Sequence, residues 1–280
     1  TNSSASNNCF FGYQTGYTTS TGASNFFGGY QAGYLSTTCD SAVFIGSQAG
    51  YTNTTGDGTV AVGYKAGYAN TAIDNTFVGT RSGAANSLGT HNTALGYMAL
   101  LNNTAASYNV AIGYQALKTQ SLSKATAYLT DNVAVGAFAL YSNQPNYSDF
   151  PTGNYDGNQN TAIGTRAMYL NTKGWGCTAV GYEALYTNTS GLAKYPEENT
   201  AVGHSAMRSN TIGYDDCAFG YRALYSNTTG CQNNAFGLTA LENNTTGYWN
   251  NAFGTACLEA NTTGWNNCAF GNIALGANTT

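Results

Sequence analysis

Apolar residues in this chain come in adjacent pairs, and the pairs return at a fixed interval around a glycine. A unit of the general form Asn-x-[Ala/Phe]-apolar-Gly, with Asn kept at its first position in eleven cases, occurs fifteen times, with its glycine at Gly12, Gly29, Gly46, Gly63, Gly79, Gly96, Gly113, Gly136, Gly164, Gly181, Gly203, Gly220, Gly237, Gly254 and Gly271. Ten of the fourteen intervals are seventeen residues, one is sixteen (Gly63 to Gly79), and only those after Gly113, Gly136 and Gly181 are longer. A fixed period of this size is the signature of a solenoid, and here it fills the chain.

Counting from the repeat glycine as position 0, position −1 is apolar in all units but that of Gly28, and position −2 is Ala in eleven units and Phe in Phe10, Phe27, Phe44 and Phe77. Neighbouring apolar residues on a strand point to opposite faces, so both faces of this strand are expected to be dry. The doubling recurs at +3 and +4, as in Ala99-Leu100 and Ala223-Leu224. Turn signals such as "NTTG" leave no room for a helix between them, so the pattern predicts two short strands per turn. The expected fold is all-β, a parallel β-solenoid of about fifteen turns, forming one domain over residues 1–280 with insertions near 118–131, 144–159 and 192–198. At ~4.8 Å per turn it would rise roughly 70 Å.

Positions −2 and +4 trade volume. Each Phe at −2 is matched by Gly at +4 (Phe10 with Gly16, Phe27 with Gly33, Phe44 with Gly50, Phe77 with Gly83), and from Ala94 onward the pair is Ala with Leu or Met. Close packing makes a large residue on one side require a small one opposite, so the two positions should touch. Ala61 with Gly67 breaks the trade and predicts a void or a bulky neighbour such as Tyr68. Position +7 is Asn in twelve units, often with Gly three residues on, which is turn chemistry whose amides would align up a column.

Two dry faces on a thin coil bear on assembly. Seventeen residues span at most roughly 56 Å of contour, enough for a flat core that satisfies one face per strand. The other face calls for a copy of the chain, and about three copies around a shared axis would cover it.

Composition narrows the function. Only 8% of residues are charged and the net charge is −4, which argues against nucleic-acid partners. No apolar run is long enough for a spanning helix, and membrane insertion is not expected. His91 and His204 read as surface substitutions, and Glu197-Glu198 and Asp215-Asp216 as solvated acidic turns. No metal or phosphate-loop spacing is found, so no cofactor and no catalytic residue are assigned, and an enzyme is not expected. The seven cysteines contain no CxxC, and those sharing a position (Cys9, Cys217, Cys268) are too far apart to pair within one chain, which predicts buried free thiols, with disulfides between chains near an axis as the alternative.

Recognition is expected at two surface features. Tyrosines at +1 and +5 (Tyr13 and Tyr17, Tyr30 and Tyr34, Tyr64 and Tyr68, Tyr182 and Tyr186, Tyr221 and Tyr225) should stack as ladders that stabilise neighbouring strands, with glycan stacking as the sharper alternative. The insertions, which hold Pro145, Pro151 and Pro196, should bulge as loops. The Asn-x-[Ser/Thr] triplets at Asn53, Asn188, Asn227 and Asn261 are candidate glycosylation sites. Asn2 stands at the position of Asn278, so the first and last turns are expected to stack end to end, in a filament or within a longer repeat chain.

The segments "NVAIGYQAL" (109–117), "NVAVGAFAL" (132–140), "NTAIGTRAM" (160–168) and "CTAVGYEAL" (177–185) resemble the xVAIGxxA repeats in head domains of trimeric autotransporter adhesins. They are still more similar to the NTAVGYQALYSNTTG arrays that precede the chaperone domain of tail-fibre-like proteins of bacteriophages and bacteria. The resemblance covers nearly all of the chain, although its period is longer than that of the adhesin heads and no auto-cleaving chaperone domain or membrane anchor is read in it. It implies a left-handed parallel β-roll, trimeric along its length, acting as an extracellular, cell-surface or virion fibre. Carbohydrate or receptor binding is the alternative.

Overall fold

The computed structural model describes residues 6–122, 126–145, 156–189 and 198–280. It is all-β over these residues, with no helix, and stacks parallel strands into a β-solenoid of about fourteen turns. The chain divides into two compact units, 1–134 and 135–280, built on the same plan. In the first, strands Cys9–Phe11, Phe26–Gly28, Val43–Ile45, Val60–Val62, Thr76–Val78, Thr93–Leu95 and Val110–Ile112 pair in sequence order. In the second, Thr161–Ile163, Thr178–Val180, Thr200–Val202, Cys217–Phe219, Asn234–Phe236, Asn251–Phe253 and Cys268–Phe270 do the same. Val133–Val135 lies at the division, and Ala106–Ser107 pairs with Tyr128–Leu129 in a small second sheet.

Register is set by the repeat glycine. Each strand pairs −3, −2 and −1 with the same positions of the next turn, so identical side chains stack. Gly46 has φ +131, and a Cβ placed there would lie 2.6 Å from the carbonyl oxygen of Gly63 in the next turn. Only glycine permits both the backbone conformation and the close approach.

Apart from the Ala106–Ser107 and Tyr128–Leu129 pair, each turn among the described residues contains one regular strand, where the sequence pattern predicts two. Residues at +2 and +4 adopt left-handed backbone, as in Gln48 (φ 57), Gln115 (φ 56), Leu100 (φ 54) and Leu117 (φ 49), so the far side is not extended. It is laddered nonetheless. The amide of Gln48 donates to the Tyr30 carbonyl (2.8 Å) of the preceding turn, while those of Gly33 and Leu35 donate to the carbonyls of Ala49 (2.9 Å) and Tyr51 (2.8 Å) of the following one. Loss of strand alternation explains how adjacent +3 and +4 residues, such as Ala99 and Leu100, are both fully buried.

The core is the contact between −2 and +4 that the volume trade implies. A Cβ on Gly33 or Gly50 would come within 2.7 Å of the Phe27 or Phe44 ring. Phe10, Phe27 and Phe44 stack at centroid separations of 4.9 and 4.6 Å. The exception at Ala61 and Gly67 is filled from the next turn, by Phe77 rather than Tyr68: a Cβ on Gly67 would lie 2.9 Å from Phe77 Cδ2.

Candidate functional site

Two asparagine columns flank the apolar core, and both are inside. At +7, side-chain amides donate to the carbonyl oxygen of the turn before, Asn86 to Asn70 (2.6 Å), Asn103 to Asn86 (2.6 Å), Asn244 to Asn227 (2.9 Å) and Asn261 to Asn244 (2.9 Å), whereas Asn70 donates to the Ala72 carbonyl (2.8 Å). At −4, Asn92, Asn199, Asn233 and Asn250 donate to backbone carbonyls at 2.7–3.0 Å and accept the backbone amide of the next turn. The second column is missed by reading this Asn as mere spelling of the motif. Buried polar groups are tolerated when bonded, and a column bonds each rung to the next.

This arrangement corrects the glycosylation expectation. Asn53, Asn188, Asn227 and Asn261 are all fully buried, and each side-chain nitrogen donates within the column or to a backbone carbonyl. The folded coil leaves no space for a glycan on that nitrogen.

Asp215-Asp216 is corrected in part. Asp215 is exposed, but Asp216 occupies the −4 column, buried, accepting from the backbone and side-chain amides of Asn233 (2.8 and 3.1 Å) and from Asn227 Nδ2 (3.0 Å). Burial raises its carboxyl well above the ordinary range, against the bonds from Asn233 and Asn227 and with the Asp215 charge. A raised folded pKa means the contribution to stability is full below the unfolded value near pH ~3.9 and is lost as pH rises through the folded one. Asp216→Asn, which suits the column, should therefore raise stability at neutral pH by about 1–3 kcal/mol and flatten the pH dependence above pH ~4, read by urea unfolding across pH.

The tyrosine ladders stack in part. At +5, Tyr17, Tyr34, Tyr51 and Tyr68 lie at successive centroid distances of 5.2, 5.1 and 5.0 Å. At +1, Tyr13 and Tyr30 are 5.5 Å apart, whereas Tyr64 has Lys65 beside its ring. His204 takes the +1 rung between Tyr182 and Tyr221, at 5.0 and 5.5 Å. Tyr186 and Tyr225 lie under the guanidinium groups of Arg208 and Arg222, at 4.9 and 4.2 Å. In this second unit the arginines are matched: Glu183 bridges Arg166 (3.3 Å) and Arg208 (2.7 Å), and Glu242 meets Arg222 (2.8 Å). Burial raises Glu183, but bonds from Arg208, Tyr182 and Arg166 outweigh it and hold its carboxyl low. His91 pairs with Asp74 at 3.6 Å.

None of the seven cysteines forms a disulfide within the chain, and the expectation that they are buried holds only for Cys39, Cys177 and Cys257; Cys217 and Cys231 are half-buried, and Cys9 and Cys268, which share the outward −3 position with Cys217, are exposed in the first and last strands. Burial pushes the Cys39 thiol up to about 11. Among the described residues no group of three or more His, Cys, Asp and Glu is placed to hold a metal, and no helix is long and apolar enough to cross a membrane. Pro151, Pro196 and Glu197, and most of the insertions at 144–159 and 192–198, lie outside the described residues.

The outward side of the strands carries the clearest surface signal. Positions −3 and −1 point away from the core, and −1 exposes large apolar side chains: Phe11 at 80%, Ile45 at 41%, Leu95 at 46% and Phe270 at 67%. Phe219, Phe236, Phe253 and Phe270 stack along it at 4.8–4.9 Å. The chain has nine Lys and Arg and thirteen Asp and Glu, yet not one stands at −3, −1 or +1 of any of the fifteen units. That exclusion is legible in the sequence only once these three positions are known to share a surface. Searches of known protein families, curated proteins and solved structures find no match to this chain.

Proposed function

We propose that the chain is a non-catalytic structural shaft that assembles laterally with copies of itself, three around a common axis, in an extracellular, cell-surface or virion fibre. The uncharged apolar outer face of the strands carries this reading. Exposed apolar stripes of this extent on soluble proteins mark interaction surfaces, and depletion of charge is the compositional sign of an interface core. The occupant is a second copy because the stripe has the period of the chain itself, so an identical stripe matches it rung for rung. Closed symmetry then limits growth sideways.

Ile45 and Ile163 stand in this stripe, one in each compact unit. Ile45→Lys with Ile163→Lys should leave the fold intact, because both side chains point outward, and should dissociate the assembly, since like charges brought together at an interface cost several kcal/mol. Circular dichroism and size-exclusion light scattering check the two halves. An unchanged mass in a folded variant would remove this face from the assembly.

Carbohydrate binding is the second reading, and one observation favours it. Trp249 and Trp265 are 50% and 57% exposed, with Tyr248 stacked on Trp265 at 5.8 Å and edge-on to Trp249 at 5.1 Å. A glycan array probed with the assembled protein, and with Trp249→Ala alongside, separates shaft from adhesin.

A further inference from the structure

The +5 ladder of the first unit has a missing rung. Tyr17, Tyr34, Tyr51 and Tyr68 stack in unbroken sequence, but the next turn supplies Ala84 and the one after it Leu101. The absent ring leaves a cleft of about 250 Å³. Tyr68, Ala84, Leu101 and Asn102 are among the residues that line it, and the order of the turns puts Ala84 between Tyr68 and Leu101. Two turns of coil separate Tyr68 from Leu101, roughly 9.6 Å at ~4.8 Å per turn, which is the thickness of one ring with a van der Waals contact above and below.

Two cations line the same cleft. Lys65 and Arg81 stand at +2 of consecutive turns, and Lys65 Nζ lies 5.2 Å from the centre of the Tyr68 ring. Neither forms an ion pair among the described residues, whereas Arg166, Arg208 and Arg222 in the second unit are each matched to a glutamate. Unpaired cations beside an aromatic face and an amide call for a ring that brings its own negative charge.

We propose that this cleft binds one acidic sugar residue, a pyranose carrying a carboxylate such as a uronate or a sialate. The sugar ring takes the place of the missing tyrosine, with its C–H face on Tyr68 and its other face on Leu101. The carboxylate meets Arg81 and Lys65 as charge-assisted hydrogen bonds, and Asn102 is placed for a ring hydroxyl. An uncharged sugar lacks the partner for the cations, and an aromatic acid lacks the hydroxyl for Asn102. The site uses +2, +5 and +6 positions and does not draw on the outer strand face, so it stands whether or not the shaft reading does.

The test uses the full chain with labelled alanine methyl groups, titrated with methyl glucuronide, N-acetylneuraminate, methyl glucoside and benzoate. One or both acidic sugars should shift the Ala84 and Ala85 methyl signals, binding about tenfold more tightly than the glucoside and than benzoate. Lys65→Gln with Arg81→Gln should remove that preference without changing the melting temperature, because Gln already occupies +2 with the same left-handed backbone at Gln14, Gln31, Gln48 and Gln115. Ala84→Tyr, which restores the residue found at +5 in the four preceding turns, should extend the ladder by one rung and abolish binding. Equal binding of charged and uncharged sugars, equal binding of benzoate, no shift at Ala84 with either acidic sugar, or binding that survives Ala84→Tyr would each overturn the proposal.

Discussion

Gly46→Ala should destabilise the first compact unit by about 2–6 kcal/mol. The residue sits at φ +131, where an L side chain costs roughly 1–3 kcal/mol, and its new Cβ would press on the Gly63 carbonyl at 2.6 Å. That oxygen is backbone and accepts from the Ala66 amide (3.2 Å) in the tight turn that follows Gly63, so relief requires backbone to shift, adding the ~1–3 kcal/mol typical of overpacking. Gly28→Ala is the matched control. Its Cβ would meet nothing nearer than Phe26 Cε1 at 3.9 Å, and other units carry Ile, Val or Phe at the same position. It should be neutral or gain up to ~1 kcal/mol by stiffening the unfolded chain. Urea unfolding of both variants checks the contrast, and equal effects would mean that the stacking of repeat glycines does not set the register.

The second large effect is expected from the interior asparagines. Asn244→Ala strips Asn227 Oδ1 of the donor it holds at 2.9 Å and Asn261 Nδ2 of an acceptor at 2.9 Å, and leaves a small void. An orphaned buried polar group costs about 1–3 kcal/mol, so the loss should reach about 2–4 kcal/mol. Because each turn contacts only its neighbours, hydrogen exchange should show the loss as local opening near residues 227–261 before global unfolding. Asn243→Ala, one residue away but exposed, should change stability by less than ~0.5 kcal/mol. If both variants behave alike, the column is only turn chemistry.

The sequence shows the core more plainly than the surface. Phe at −2 with Gly at +4 is a statement about volume, and volume is additive enough that the contact between Phe44 and Gly50 could be read without coordinates. The alignment of Asn upon Asn at +7 follows from the period alone. The second strand fails because Leu100, Leu117 and the glutamines at +2 hold left-handed backbone that their intrinsic preferences oppose. Stacking imposes that conformation, and no local pattern announces it. The same limit hides the burial of Asn53 and Asp216: both residue types belong in turns, and only closure of the coil turns their side chains inward. The cleft beside Tyr68 is signalled by an absence, the alanine at 84, which acquires meaning only when the rungs above and below are known to stack.

The proposed fibre depends most heavily on the uncharged outer face and on that face being covered by identical chains. Sedimentation equilibrium of the purified 280-residue chain at micromolar concentration tests that directly. The expected result is a single stable species of three times the 29.2 kDa chain mass, unchanged by salt because the proposed contact holds no charge. A folded monomer of 29.2 kDa under the same conditions would contradict it.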